Sequence, residues 1–240
     1  MSRTAFIVST ALEGKSVARC LAHKRAGEVA GVSFLSGRIA EGARSGSIIL
    51  CVSGIGKANA ARAATLLIML YRPDRIINFG VGGAYPSSGF GIGDIVVADS
   101  EHYGDEGLQT AAEFRDMRLL GFPLLRKEAE PLYNSFPLHV PRGLRQEVRA
   151  GGFVTVSTCT GTRAAGMKIE HHWSAVCENM EGAAIAHVGA AHDIPVTEFR
   201  GISNVIEDRT GAPLSKEDVL RAAGRAEEFL LENWHRGLFE

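Results

Sequence analysis

The sequence predicts an α/β fold: a central mixed, largely parallel sheet flanked by helices on both sides, in one domain spanning residues 1–240. Two observations carry this expectation. Short runs rich in β-branched residues alternate with helical stretches along the whole chain, the pattern of strands joined by crossover helices. Two glycine clusters, at residues 54–56 and 80–83, each follow a strand-like run, and ligands bind at that edge of an open α/β sheet. At 240 residues the chain has room for one large domain or two small ones. It shows no internal repeat or low-complexity tract to divide it.

The elements are expected as follows. Residues 6–8 read as a first strand and 13–24 as the helix after it. Residues 32–35 and 48–53 read as strands, and the alanine-rich stretch 58–71 as a helix stopped by Pro73. Strands follow at 75–79 and 94–98, the first of them entering the second glycine cluster. Residues 154–157, 175–178 and 196–203 complete the sheet, with helices at 162–171 and 180–192 between them. A closing helix over 216–234 has Ser215 as N-cap and Glu217 and Asp218 in its first turn, where the dipole favours acids. Residues 104–141 carry four prolines, Pro123, Pro131, Pro137 and Pro141. That segment is too long for an idle loop, and reads as a binding lid or an inserted subunit contact.

Composition excludes several classes of function. Apolar residues make up 45% and charged residues 22%, so the chain can build a core. A formal net charge of -1 gives no reason to expect nucleic acid or an anionic membrane as partner. The longest strongly apolar stretches, 47–52 and 66–70, fall far short of the roughly 20 residues a spanning helix needs. No secretory signal pattern opens the chain. Cys20, Cys51, Cys159 and Cys177 lack CxxC spacing, and the only histidine pair, His171-His172, points to two faces. No metal site is expected, and the thiols read as reduced, in a cytoplasmic protein.

The chemistry gathers at strand ends. Ser53-Gly54-Ile55-Gly56-Lys57 opens a helix and reads either as an anion cradle or as a tight turn. It is not a P-loop, and Asn59 breaks the dinucleotide fingerprint. Gly80-Val81-Gly82-Gly83-Ala84 lets the backbone approach a flat ring or a sugar. Glu13 reads either as a site carboxylate or as a helix N-terminal acid. In Asn179-Met180-Glu181-Gly182, a carboxylate at a strand-to-helix junction can accept both hydrogen bonds of a vicinal diol, and the methionine offers an apolar floor to a sugar. Glu178 is the other acid there, expected to face elsewhere. Arg200, inside the apolar run 198–204, must be paired to be tolerated, and Glu13 through a water is the expected partner. Asn204 ends that run with an acceptor and a donor.

In order and spacing, these segments, together with Gly93-Asp94-Ile95-Val96-Val97 and Arg200-Gly201-Ile202-Ser203-Asn204, resemble the nucleoside phosphorylase and nucleosidase superfamily over nearly the whole chain. They are similar to bacterial methylthioadenosine/S-adenosylhomocysteine nucleosidases. Val156-Ser157-Thr158-Cys159-Thr160-Gly161 and the Gly-Ile-Ser-Asn ending resemble the futalosine hydrolase branch in particular. The resemblance implies a three-layer sandwich, no cofactor, a homodimer or larger homo-oligomer, and hydrolysis of a purine nucleoside. In the futalosine branch that means release of hypoxanthine on a menaquinone route. It implies Glu13 as general base, Arg200 holding the water, Glu181 on the ribose hydroxyls and Met180 against the sugar. Asn179, Val81, Gly82, Gly83 and Thr160 complete the expected substrate-binding set.

Asn204 stands where the adenosine-cleaving relatives carry an aspartate. Adenine presents an N6 donor beside N7, whereas hypoxanthine presents an O6 acceptor. An amide can donate to O6 and accept from N7–H, while a carboxylate facing O6 is repelled, so the amide predicts a 6-oxopurine. Ser157–Gly161 lacks the phenylalanine that stacks on adenine in relatives, and Val81 replaces a hydroxyl residue. With no obvious phosphate-binding arginine near Gly54 or Gly80 in the sequence, hydrolysis is expected over phosphorolysis. The rival readings are an adenosine-type nucleosidase, a purine nucleoside phosphorylase, a non-catalytic nucleoside-binding protein and a nicotinamide-dependent oxidoreductase. Arg115, Arg118 and Lys127 are candidate contacts for an anionic 5′ group.

Overall fold

The computed structural model describes residues 2–39, 46–211 and 214–239. The chain begins with β1 (Arg3–Val8), α1 (Lys15–Cys20), β2 (Leu21–Val29), β3 (Val32–Ile39), β4 (Ser47–Val52) and α2 (Lys57–Tyr71). Then come β5 (Arg75–Ala84), β6 (Ile95–Tyr103), a small ribbon of β7 (Gly107–Gln109) and β8 (Phe114–Asp116), α3 (Met117–Leu120), β9 (Ser135–Pro137) and α4 (Arg142–Arg145). The last third holds β10 (Ala150–Thr155), α5 (Arg163–Trp173), β11 (Ala175–Asn179), α6 (Gly182–Ala191), β12 (Val196–Val205) and α7 (Lys216–His235).

The main sheet runs β11-β10-β6-β12-β5-β1-β4-β3-β2, with β9 beside β6. Its middle, β4-β1-β5-β12, is parallel, and β2, β3 and β9 join antiparallel. Side-chain alternation makes it a sandwich. Ala5 and Ile7 of β1 pack in the layer with Ala60, Ala64 and Leu67 of α2, while Phe6 and Val8 pack in the layer with Ala226 and Leu230 of α7. Alanine-rich α2 has high helix propensity; Arg72 in the left-handed region and Pro73 terminate it. Ser215 caps α7 as expected, its hydroxyl accepting from Asp218 N–H at 3.2 Å.

Three expectations are corrected. The helix expected over 13–24 is only Lys15–Cys20, and the chain turns at once into β2. Pairing with the free edge of β3 outweighs the helix propensity of those residues, and His23, at φ 54, takes up the irregularity between Ala22 and Arg25. The strand expected over 75–79 continues to Ala84, so the second glycine cluster is strand and not loop. In that extension β5 keeps β12 on one side and takes β11 on the other, antiparallel. β5, β12, β6, β10 and β11 therefore close into a five-stranded ring. Residues 104–141, for which the sequence predicts no helix or strand, hold the ribbon, α3 and β9.

Candidate active site

Glu13 lies in the turn between β1 and α1, before the helix N-cap Gly14, so it is not the first-turn acid that one reading of the sequence allowed. Its buried carboxylate is fixed by four donors. Oε2 accepts from Ser9 Oγ at 2.6 Å, Thr10 N at 2.8 Å and Thr10 Oγ1 at 2.9 Å, and Oε1 accepts from Val81 N at 3.1 Å. Oε1 retains an open lone pair. Gly80 makes this approach possible. A Cβ there would stand 2.4 Å from Glu13 Oε1 and 3.0 Å from the Nη1 of Arg200.

Arg200, 1% exposed, is paired with Glu198 and not with Glu13 as expected. Its Nε and Nη2 donate to Glu198 Oε1 at 2.9 and 2.7 Å. Two residues apart on β12, the pair shares one face of the strand. The negative charge of Glu198, then of Glu181 and Glu13, outweighs burial and raises the guanidinium further above its already high range. Arg200 does not line the cavity; its Nη1 lies against Gly80.

Glu181 sits at the N-cap of α6. Its Oε1 accepts from Gly56 N–H, at the start of α2, at 2.8 Å. The anion-cradle reading of the first glycine cluster is thus answered from within the chain, because the anion is Glu181 itself. Burial pushes the Glu181 carboxyl up, opposed mainly by the positive charge of Arg200. Asn179 holds the turn: its Oδ1 accepts from the N–H groups of Glu181 and Gly182 at 2.9 and 2.7 Å, and its amide donates to the buried Glu101. Burial, then the charge of Glu198, pushes the Glu101 carboxyl well up.

These groups converge on a cavity of about 260 Å³ at the glycine-bearing half of β5. Glu13, Glu181 and Asn204 line it, with Met180, Val81, Gly82 and Gly83, and Asn179 adds to its wall. Asn204 is half-buried; its Oδ1 accepts from Ser203 Oγ at 3.0 Å. Thr160 does not line this cavity but bonds to Glu178, which does. Glu178, expected to face elsewhere, lines the same cavity.

Arg209 is the cation among its described lining residues; Arg115, Arg118 and Lys127 are not in the wall. Arg115 and Lys127 pair with Glu113 and Asp193, and Arg118 lies over the ring of Tyr133. No residue of the segment 104–141 lines this cavity. Sequence reasoning missed Ser9 and Thr10, set Glu178 aside, and missed Glu198. The first two and the last were readable: hydroxyls three and four residues before Glu13, and an acid two residues before a buried arginine.

A family model described as the phosphorylase superfamily matches residues 3–232. The chain is 31% identical to a futalosine hydrolase of Thermus thermophilus, over 83% of this chain and 86% of that one. It is 34% identical to a futalosine hydrolase of Streptomyces coelicolor, over 77% and 80%. Among solved structures, the fold is similar to a 5′-methylthioadenosine/S-adenosylhomocysteine nucleosidase of Colwellia psychrerythraea in complex with adenine. That match has TM-score 0.79 and 24% identity, covering 99% of this chain and 96% of that one. A nucleosidase of Neisseria meningitidis bound to methylthio-immucillin-A matches with TM-score 0.80 and 21% identity, over 98% and 100%.

Proposed function

The chain belongs to the phosphorylase superfamily, and we propose that within it the protein is a futalosine hydrolase, cutting the N-glycosidic bond of futalosine with water to release hypoxanthine for menaquinone biosynthesis. The observation that carries the reading is the meeting of Glu13, Glu181 and Asn204 around one cavity.

In the reaction the C1′–N9 bond stretches until the sugar carries oxocarbenium-like charge. The base departs with the electron pair, a water oxygen bonds to C1′, and its proton passes to Glu13. Glu181 grips the ribose diol with the acceptor positions that Gly56 leaves free, and Met180 packs on the sugar. Such positioning supplies roughly 7 kcal/mol of the barrier reduction at the favourable end. Val81, Gly82 and Gly83 form the floor beneath the substrate, Asn179 holds the turn that presents Glu181, and Thr160 sits at the base end. Arg200 steadies Glu13 and the water from beneath Gly80. Asn204 hydrogen-bonds the departing base, and solvent supplies its proton. Three carboxylates line the cavity, and one of them already takes the Gly56 N–H. A phosphate dianion would meet repulsion there, which favours water as the nucleophile.

We take residues 1–240 as one domain, working in the cytoplasm as a homodimer or larger homo-oligomer. Leu119 and Phe122 are 69% and 65% exposed in the segment 104–141, which fits the subunit-contact reading of that segment. No described helix is long and apolar enough to cross a membrane.

Comparing substrates tests the reading. The protein is expected to cleave futalosine at least about 10²-fold more efficiently than methylthioadenosine. Asn204→Asp is expected to cost on the order of 10² in kcat/KM on futalosine and to narrow that preference, because a carboxylate then faces O6. A preference for methylthioadenosine in the unsubstituted protein would make it an adenosine-type nucleosidase instead.

A further inference from the structure

The proposed mechanism leaves one buried acid of the cavity unused. Glu178 is 6% exposed, and all three of its partners donate to it. Thr160 N–H donates to Oε1 at 2.8 Å, Thr160 Oγ1 donates to Oε2, and the Tyr85 hydroxyl donates to Oε2 at 3.4 Å. Three donors aimed at one carboxyl group favour its ionised, acceptor-only form and leave about one of its four acceptor positions open. A carboxylate held this way on a cavity wall asks for one more donor from whatever fills the cavity.

The sheet register says where that donor must be. Gly83 of β5 pairs with Glu178 of β11 on one side and with Asn204 of β12 on the other. Glu178 and Asn204 thus flank the same bare glycine, two strand spacings apart, or roughly 10 Å between backbones. All three residues line the cavity. A Cβ on Gly83 would come within 3.0 Å of Asn204 Nδ2, so the gap between the two polar side chains stays open only because residue 83 is glycine. The gap suits the edge of a flat ring that carries polar atoms at both ends. In a 6-oxopurine the N1–H donor, the O6 acceptor and N7 lie along one edge in that order.

Resting on the nucleosidase reading above and deepening it, we propose that Glu178 is a specificity-determining residue that accepts the N1–H of the 6-oxopurine base, while Asn204 across Gly83 takes O6 and N7. The two residues then read the lactam as a unit: an acceptor for its donor, and an amide for its acceptors. Adenine fails at both ends, since its N1 carries a lone pair that faces the carboxylate and its N6 carries hydrogens. Burial pushes the Glu178 carboxyl up, opposed mainly by the Thr160 donors. That cost makes a fourth donor from the ligand worth more than it would be in water. Arg209, on the same wall, adds positive charge near Glu178.

The test uses the full-length protein with three nucleosides that differ only in the base: futalosine, its 1-deaza analogue, in which C–H stands for N1–H, and its 6-amino analogue. The unsubstituted protein is expected to cleave the 1-deaza compound at least about 10²-fold less efficiently than futalosine, since the analogue leaves a buried acceptor unpaired. Glu178→Gln, whose amide can donate as well as accept, is expected to lower kcat/KM on futalosine by about 10²-fold. It should lower the 6-amino analogue far less, so that the ratio of the two shifts at least about 10-fold. An equal loss on both substrates would mean that Glu178 only props the Thr160 loop, and would overturn the proposal. So would equal cleavage of futalosine and its 1-deaza analogue by the unsubstituted protein, an arm that needs no variant to fold. Should the unsubstituted protein cleave none of the three, the nucleosidase reading itself falls, and this inference with it.

Discussion

Glu13→Gln is expected to lower kcat by about 10²- to 10⁴-fold while leaving KM nearly unchanged, the usual scale for loss of a general base. That corresponds to roughly 2.7 to 5.5 kcal/mol of barrier. Gln keeps the size and most of the polarity of Glu, so the cavity and the ribose contacts through Glu181 survive, but an amide cannot take the proton of the attacking water. The surroundings fix how the substitution sits. Three donors from Ser9 and Thr10 meet Oε2, and a single donor, Val81 N–H, meets Oε1. The amide oxygen will turn to the three donors and its NH₂ to Val81, leaving that N–H unpaired at a cost of about 1–3 kcal/mol in stability. Steady-state kinetics with a thermal melt separates the two effects. A variant with kcat within a few-fold of the original would remove Glu13 from the mechanism.

Arg200→Met is expected to destabilise the fold by about 3–5 kcal/mol, because it removes one partner of a fully buried ion pair and leaves the other charge unmatched. Glu198 and Arg200 are 0% and 1% exposed. Glu198 is already poorly served: its Oε2 has no hydrogen-bond partner among the described residues. Both Glu198 oxygens and Glu101 Oε1 crowd the bare Cα of Gly182. Burial, then the charge of Glu198, pushes the Glu101 carboxyl well up. Without the guanidinium, the charge of Glu198 is left unmatched in the core. Adding Glu198→Gln to Arg200→Met should restore at least half of the lost stability, since the unmatched charge goes with it. Urea unfolding measures both; a loss below about 1 kcal/mol in the single variant would mean that the pair is far better solvated than its burial indicates.

The residues that hold the proposed chemistry were largely legible because they sit at strand ends. Glu13 follows β1, Glu181 follows β11, and Asn204 lies near the end of β12; parallel neighbours deliver such positions to one edge. Glycines at 80, 82 and 83 marked the place where backbone and side chains approach closely. What could not be read follows from pairing between distant segments. The start of β2, residues 21–24, reads as helix and becomes strand because β3 offers it an edge. The return of β5 against β11 leaves no local trace, yet it closes the ring and brings Glu178 to the cavity wall beside Gly83. The partner of Arg200 was misread for a simpler reason. A buried arginine was matched to an acid at the same sheet edge, when period-two alternation already placed Glu198 on its own face.

The most direct trial of the account is the release of hypoxanthine from futalosine in phosphate-free buffer, followed by analysis of the sugar product. Turnover is predicted at a rate that added phosphate does not raise, with a free hydroxyl at C1′ of the sugar. Release that requires phosphate and yields the sugar 1-phosphate, or no release at all, would contradict it.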